Sequence, residues 1–160
     1  MRFGIGYDVH PFEEGRRLIL AGIEIPYKKG LGGHSDADVL SHAICDAMLG
    51  AAGEDDIGVH FPDNDEKYKN ISSLILIKKV KEIVGKKSFT INNIDTVIIA
   101  QEPKISDYRL RMKENLADAL NISPSRLNIK ATTPEKLGSF GRCEGMAVYA
   151  IVSLEEWGKE

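Results

Sequence analysis

The sequence predicts an α/β or α+β layer fold built on one main sheet. Three observations predict it. Short apolar runs alternate along the chain with longer segments of helical periodicity. Turn and stop residues, chiefly Gly and Asn, punctuate them. No repeat, low-complexity tract or linker divides the 160 residues, so a single domain over 1–160 is expected.

Residues 2–9 read as a strand, with Phe3, Ile5 and Tyr7 on one face and Gly4, Gly6, Asp8 and His10 on the other. "RRLILAGIEIPY" reads as a hairpin around Ala21-Gly22, and "KKGLGGHSD" as a glycine-rich loop. "SDADVLSHAICDAMLG" predicts a helix, with Ser35 and Asp38 as an S-x-x-D start and Gly50 as its stop. Its apolar stripe is Val39, Leu40, Ala43, Ile44, Ala47 and Met48. Asp38, His42 and Asp46 recur at i, i+4 and i+8 on the polar side. "GEDDIGVHFPDNDEKYKN" is a long polar loop without periodicity. Asn70 caps a second helix reaching Val84 and ended by Gly85. "NIDTVIIAQ" predicts a central strand. "SDYRLRMKENLADALN" predicts a third helix that buries Tyr108, Met112, Leu116 and Leu120 and ends at Asn121. Strands "RLNIKA" and "MAVYAIVSL" flank a polar loop, "TTPEKLGSFGRCEG".

Composition narrows the function classes. The chain is 42% hydrophobic and 28% charged, with a formal net charge of −3. No basic surface speaks for nucleic acid, and no apolar run approaches a membrane span. An acidic protein that handles anionic substrates needs local help, from metal ions or backbone N–H groups. Cys45 and Cys143 form no CxxC pattern and have no evident local base, so reduced, inert thiols in a cytoplasmic setting are expected. The N-terminus passes straight into the first strand without the apolar core of a signal peptide.

Asp8 and His10 project from one strand face, a spacing that suits chelation of one ion. His42 is a third donor. Asp-His-His leaves a tetrahedral zinc with one open position, the pattern of a catalytic site. A hydrogen-bonded pair on a solvated strand end explains an isolated Asp-x-His as well. His34 and Ser35 precede a helix, where N–H groups favour an anion or hydroxyl, and where plain capping by Ser35 is the alternative. Asp55, Asp56, Asp63 and Asp65 are either ligands for polyol hydroxyls or a solvated acidic loop. "QEPK" and "KATTPEKLG" follow apolar strands, where α/β folds gather ligand sites. Thr132 and Thr133 offer hydroxyls, Lys104 and Lys136 charge, and Glu135 a hard oxygen for Mg²⁺ or Mn²⁺. Thr-Thr-Pro-Glu also reads as an ordinary helix-start or turn signal. No P-loop and no G-x-S-x-G motif is present.

In order and spacing, "GYDVH", "IPYKKGLGGHSDADVLSHAICDAMLGAAG", "DIGVHFPDND", "IDTVIIAQEPK", "NIKATTPEKLG" and "GRCEGMA" resemble the 2-C-methyl-D-erythritol 2,4-cyclodiphosphate synthase family over nearly the whole chain. The resemblance implies a single mixed β-sheet with helices packed on one face, assembling as a homotrimer with active sites at subunit interfaces. It implies one zinc per subunit on Asp8, His10 and His42, and Mg²⁺ or Mn²⁺ on Glu135 with the substrate diphosphate. His34 and Thr133 become transition-state stabilisers. Asp56 and Gly58 hold the ribose or the methylerythritol, and Phe61, Pro62, Asp63, Asn64 and Asp65 cover the methylerythritol. Ala100, Gln101, Glu102, Pro103, Lys104, Ile105 and Ser106 hold cytosine, largely through backbone. Thr132, Thr133, Pro134 and Glu135 hold phosphates. Val9, Ser35, Ile57, Ala131, Ser139 and Arg142 complete the substrate set, and Arg142 and Glu144 face a central channel. In "LGSFGR" the chain departs from the family's "LGFTGR", so Ser139 stands at the aromatic position and Phe140 follows. The implied reaction is an internal phosphoryl transfer in the non-mevalonate isoprenoid pathway, releasing CMP from a cytidine diphosphate substrate. A metal-dependent phosphohydrolase and a non-catalytic nucleotide- or isoprenoid-binding trimer are the alternatives.

Overall fold

The computed structural model describes residues 1–62 and 64–157. Its first strand, β1 (Arg2–Glu14), outruns the expected residues 2–9 and is followed by β2 (Leu18–Leu20), β3 (Ile23–Ile25) and β4 (Lys29–Leu31). Helix α1 (Val39–Ala52) leads to the short α2 (Ile57–His60) and then to α3 (Ser73–Lys86). β5 (Phe89–Ile99), α4 (Arg109–Leu120), β6 (Leu127–Thr132), α5 (Gly138–Gly141) and β7 (Gly145–Glu156) complete the order.

The main sheet runs β4-β1-β7-β5-β6. β5 and β6 are parallel and the other pairs antiparallel, so the sheet is mixed, as expected. β7, not β5, is the middle strand; β5 lies one place in from the β6 edge. β2 and β3 pair as a separate hairpin, turned by Ala21 and Gly22 with φ of 51° and 69°. Two positive φ values are what a two-residue hairpin turn requires.

The helices cover one sheet face. A β-carbon on Gly4 would lie 2.1 Å from the Ala47 carbonyl oxygen, so the backbone of α1 rests on β1. Leu40, Ile44 and Met48 of α1, Ile94 and Ile98 of β5, and Val148 and Val152 of β7 form the sealed centre of the core. Leu76, Ile77 and Val80 of α3 and Met112, Leu116 and Leu120 of α4 extend it. The other sheet face is apolar yet uncovered. Phe3 is 68% and Ile5 67% exposed, and Tyr7, Val9, Tyr149 and Ile151 are exposed beside them. Tyr7 stacks on its cross-strand partner Tyr149, ring centres 4.7 Å apart.

Several boundaries differ from the sequence reading. α1 begins after Asp38, not Ser35, because Ala37 takes a φ of 56° that no helix tolerates. The Asp38 carboxylate caps the helix through the Ser41 N–H, and Asp38 is fully buried rather than on a polar face. Gly50 is helical; the stop is Gly53, in the left-handed region at φ 76°. Asn70 does not cap α3, since its own φ is 56°; the helix starts at Ser73. The polar loop after Gly53 contains α2 and a single 3₁₀ turn, Glu66–Tyr68. β4 lies in the stretch expected to be a glycine-rich loop and pairs Leu31 with Phe12 at the sheet edge. Among the described residues no helix is long and apolar enough to cross a membrane.

Candidate metal centre and substrate cleft

β1 and α1 together build a convergent donor set. Alternation places Asp8 and His10 on the helix-covered face of β1, and α1 brings His42 over them. Asp8 Oδ2 lies 2.9 Å from His10 Nε2 and 3.2 Å from His42 Nδ1. Donor atoms at about 2.0–2.2 Å from a tetrahedral ion stand roughly 3.4 Å apart, close to this spacing. The three residues form the described cluster of His, Cys, Asp and Glu side chains able to share one ion.

The proton positions follow from the partners. The Gly32 carbonyl only accepts, so His10 Nδ1–H donates to it at 2.5 Å. That leaves Nε2 directed at the site, where it is buried and faces the Asp8 carboxylate. A carboxylate oxygen and ring nitrogens facing each other across about 3 Å repel unless a proton or a metal cation sits between them, and three such donors converging on one point fit a divalent metal. Without a metal ion, protons take that place. Burial pushes Asp8 up, but hydrogen bonds from His10 and His42 outweigh it and hold the carboxyl at about 2. Burial pushes His10 down, and the Asp8 carboxylate more than offsets this, raising it above its ordinary value.

The metal triad lies on one wall of a cavity of about 240 Å³, which His34, Ser35, Ile57, Gly58 and Phe61 also line. His34 Nε2 is buried without a partner. The loop carrying His34 and Ser35 is fixed by Arg16, whose guanidinium donates to the Gly33 and Ser35 carbonyls at 2.9 and 3.1 Å. Ser35 does not cap α1; its hydroxyl accepts from the Ala37 N–H at 3.1 Å. Asp56 caps α2 through the Val59 N–H, and the Ile57 N–H donates to Asp46 at 2.8 Å. Phe61 is nearly buried, edge-on to Tyr68 at 5.3 Å. Pro62 is half-buried and Asn64 exposed beside it. Asp65 caps the 3₁₀ turn and pairs with Lys67, a local role that uses its carboxylate. Asp63 lies outside the described residues. Val9 points to the opposite, uncovered face.

The remaining expected positions form a second group. None of residues 100–106 or 131–144 lines that cavity. They gather where parallel β5 and β6 end side by side. The Ala100 N–H donates to Thr132 at 3.2 Å, and the Lys136 N–H to Gln101 Oε1 at 2.9 Å. Thr133 Oγ1–H donates to Glu135 at 2.6 Å. Ala131, Glu135, Lys104, Glu102, Ser106 and Ser139 are exposed, Pro103 and Pro134 half-exposed, and Ile105 buried as an anchor. Arg142 and Glu144 form a 2.6 Å ion pair before β7. β1 and β5 are separated by β7, so the two groups stand roughly 10 Å apart or more along the sheet.

Sequence reasoning missed Arg16, Asp36 and Ser73, and gave Asp46 no role beyond a polar helix face. Their work is long-range bonding to loops, which carries no local motif. Cys45 is sealed in the core and burial pushes its thiol well up, in keeping with an inert residue.

Comparison with known proteins accords with this geometry. The sequence pattern of the YgbB family matches residues 1–155. The 2-C-methyl-D-erythritol 2,4-cyclodiphosphate synthase of Alkaliphilus metalliredigens is 58% identical over 96% of this chain and 97% of its own. A structure of the bifunctional IspDF from Campylobacter jejuni superposes with a TM-score of 0.94 at 47% identity, over 98% of this chain and 42% of that longer one. A CDP complex of IspF from Plasmodium falciparum superposes at 0.86, with 36% identity over 98% of this chain and 97% of that one. With a match over nearly its whole length and relatives of this identity, the chain belongs to the YgbB family, alongside the 2-C-methyl-D-erythritol 2,4-cyclodiphosphate synthases.

Proposed function

We propose that the chain, as one domain over residues 1–160, converts 4-diphosphocytidyl-2-C-methyl-D-erythritol 2-phosphate to 2-C-methyl-D-erythritol 2,4-cyclodiphosphate in the cytoplasm. The observation that carries this reading is the convergence of Asp8, His10 and His42 on a cavity wall beside the unpartnered Nε2 of His34. An oxygen of the 2-phosphate attacks the β-phosphorus. The bond between that phosphorus and the oxygen bridging to the α-phosphorus breaks, and its electron pair leaves with CMP.

Asp8, His10 and His42 hold zinc, and Glu135 holds Mg²⁺ or Mn²⁺ with the substrate diphosphate. When bound, these ions polarise phosphate oxygens and template the diphosphate. The chain's own residues position and neutralise. His34 donates from Nε2 to developing charge on a phosphate oxygen, and Thr133 does so from its hydroxyl, whose proton turns from Glu135 to the phosphate once Glu135 holds the ion. Asp56 commits one carboxylate oxygen to Val59, leaving the other for a substrate hydroxyl. Gly58, without a side chain, keeps the α2 side of the cavity open. No protein nucleophile is needed, because attacking and leaving groups sit in one substrate.

The two residue groups belong to one active site shared between subunits. The uncovered face of Phe3, Ile5, Tyr7, Val9, Tyr149 and Ile151 supports assembly, since apolar sheet faces of this extent are rarely left in water. A homotrimer joins the triad of one subunit to the 100–106 and 132–135 segments of its neighbour. The CDP bound by the Plasmodium falciparum relative supports cytidine recognition there.

Incubation with the cytidine substrate and zinc plus Mg²⁺ tests the reading. Equimolar CMP and cyclic diphosphate are expected, with no inorganic phosphate. Release of inorganic phosphate makes the chain a hydrolase, and binding without either product makes it a binding module.

A further inference from the structure

We propose that Asp36 and Ser73 are positioning residues for the metal centre, holding His42 in the tautomer that presents Nδ1 to the ion. This rests on the metal reading above. His42 has two partners on its far side: Nε2 lies 2.8 Å from Ser73 Oγ and 3.2 Å from Ser35 Oγ. The Ser73 hydroxyl donates its own proton to Asp36 Oδ1 through a short hydrogen bond. With that proton committed, Ser73 Oγ only accepts on the histidine side, so His42 Nε2 carries the hydrogen. The lone pair of the ring is then on Nδ1, 3.2 Å from Asp8 Oδ2, on the metal side.

Asp36 is itself fixed. It accepts the Ser73 N–H at 3.0 Å and the Asp38 N–H at 3.3 Å, and its own N–H donates to the Ile71 carbonyl at 3.2 Å. The first of these bonds replaces a cap, for Ser72, at the N-cap position of α3, makes no side-chain cap bond. The Asn70 N–H donates to the His34 carbonyl at 3.0 Å, tying the same two segments together. Ser73 is completely buried, so its hydroxyl has no water to turn to. A carboxylate thus reaches the histidine through a serine, anchoring the ring and raising its basicity toward a cation. α3, which contributes no ligand, sets the orientation of one.

Zinc affinity measured by chelator competition, without substrate, is the test, with the visible spectrum of the Co²⁺-loaded protein as a second readout. Ser73→Ala is expected to bind zinc 10- to 100-fold more weakly and to alter the Co²⁺ bands. Ser73→Thr and Ser73→Val add the same methyl group and differ in the hydroxyl, so only Thr should restore affinity. Wild-type affinity in Ser73→Ala, or equal affinities in the Thr and Val variants, overturns the inference and leaves the metal reading standing. A wild-type protein that takes up no zinc overturns both. A purely structural role would lower the melting temperature of metal-free Ser73→Ala without changing its affinity. If the variants fail to fold, the imidazole nitrogen NMR shifts of His42 in the zinc-loaded wild type decide: zinc on Nδ1 with a hydrogen on Nε2 is expected, and zinc on Nε2 overturns the proposal.

Discussion

Gly6 lies directly beneath Ala43. A β-carbon on Gly6 would stand 1.9 Å from the Ala43 carbonyl oxygen and 2.7 Å from the Ala47 amide nitrogen. Both neighbours are backbone, so nothing flexible can yield, and this contact sets how far His42 reaches toward Asp8 and His10. Gly6→Ala is expected to destabilise the fold by about 3 kcal/mol, the upper range for overpacking. Gly85→Ala, where an added β-carbon meets nothing, is the control and should stabilise by a few tenths to about 1 kcal/mol. Urea denaturation of both variants checks the pair; equal stabilities would remove the close approach as a determinant of the fold.

Asp46 holds the first turn of α2 through the Ile57 N–H. A charged acceptor on a partly buried amide is worth about 1.5–3 kcal/mol. Asp46→Ala should therefore loosen Asp56 and Gly58. Substrate KM is expected to rise roughly tenfold with kcat changed less, and the Ile57 amide to exchange faster by NMR. An unchanged KM with a collapsed kcat would place Asp46 in the chemistry instead.

The proton that competes with the metal belongs to His10. Asp8 is depressed from 3.8 to about 2, so its contribution to metal-free stability is present above 3.8 and lost as pH falls toward 2. His10 is raised above 6.5, so its contribution is present below 6.5 and lost as pH rises through its folded value. The Asp8–His10 pair thus stabilises metal-free protein most between about pH 4 and 6.5. Zinc must displace the His10 proton, so affinity should fall on acidification from above the ordinary histidine range, not near pH 4. A metallochromic indicator followed from about pH 8 to pH 4 checks this; retention of the ion down to pH 4 would show that His10 is not a ligand.

Ile5 faces Ile151 across the β1–β7 ladder, and both side chains stand on the uncovered sheet face. Ile5→Lys puts a charge there without touching the core. On the proposed shared-site trimer, light scattering is expected to show trimers reduced to monomers, with zinc still bound and turnover reduced at least 100-fold. Full turnover in a monomeric variant would mean that one chain holds the whole site.

The sequence by itself determined the long elements and the chemistry of the ligands, while the short β4, α2 and α5 fell in stretches that read as loops. The period-two pattern of β1, the apolar stripe of α1, the Ala21-Gly22 turn and the Asn121 stop are local properties, and each is where its residues put it. Asp8 and His10 share a face because strands alternate. The tertiary structure decided which face is inside. The alternation in β1 sorts Phe3, Ile5 and Tyr7 from Gly4 and Gly6 without saying which set faces the helices; the glycines do, because only they let the backbone of α1 approach. It also decided where helices begin. Ser35 and Asn70 are good local caps, but Asp38 is held by Gly22 and Ser41, and Asp36 reaches Ser73 from 37 residues away. Such bonds depend on loops meeting in space and leave no spacing to read. The division of the candidate site into two groups is of the same kind. Residues at the ends of β5 and β6 and those over β1 are kept apart by the strand order, which the sheet sets and no local motif encodes.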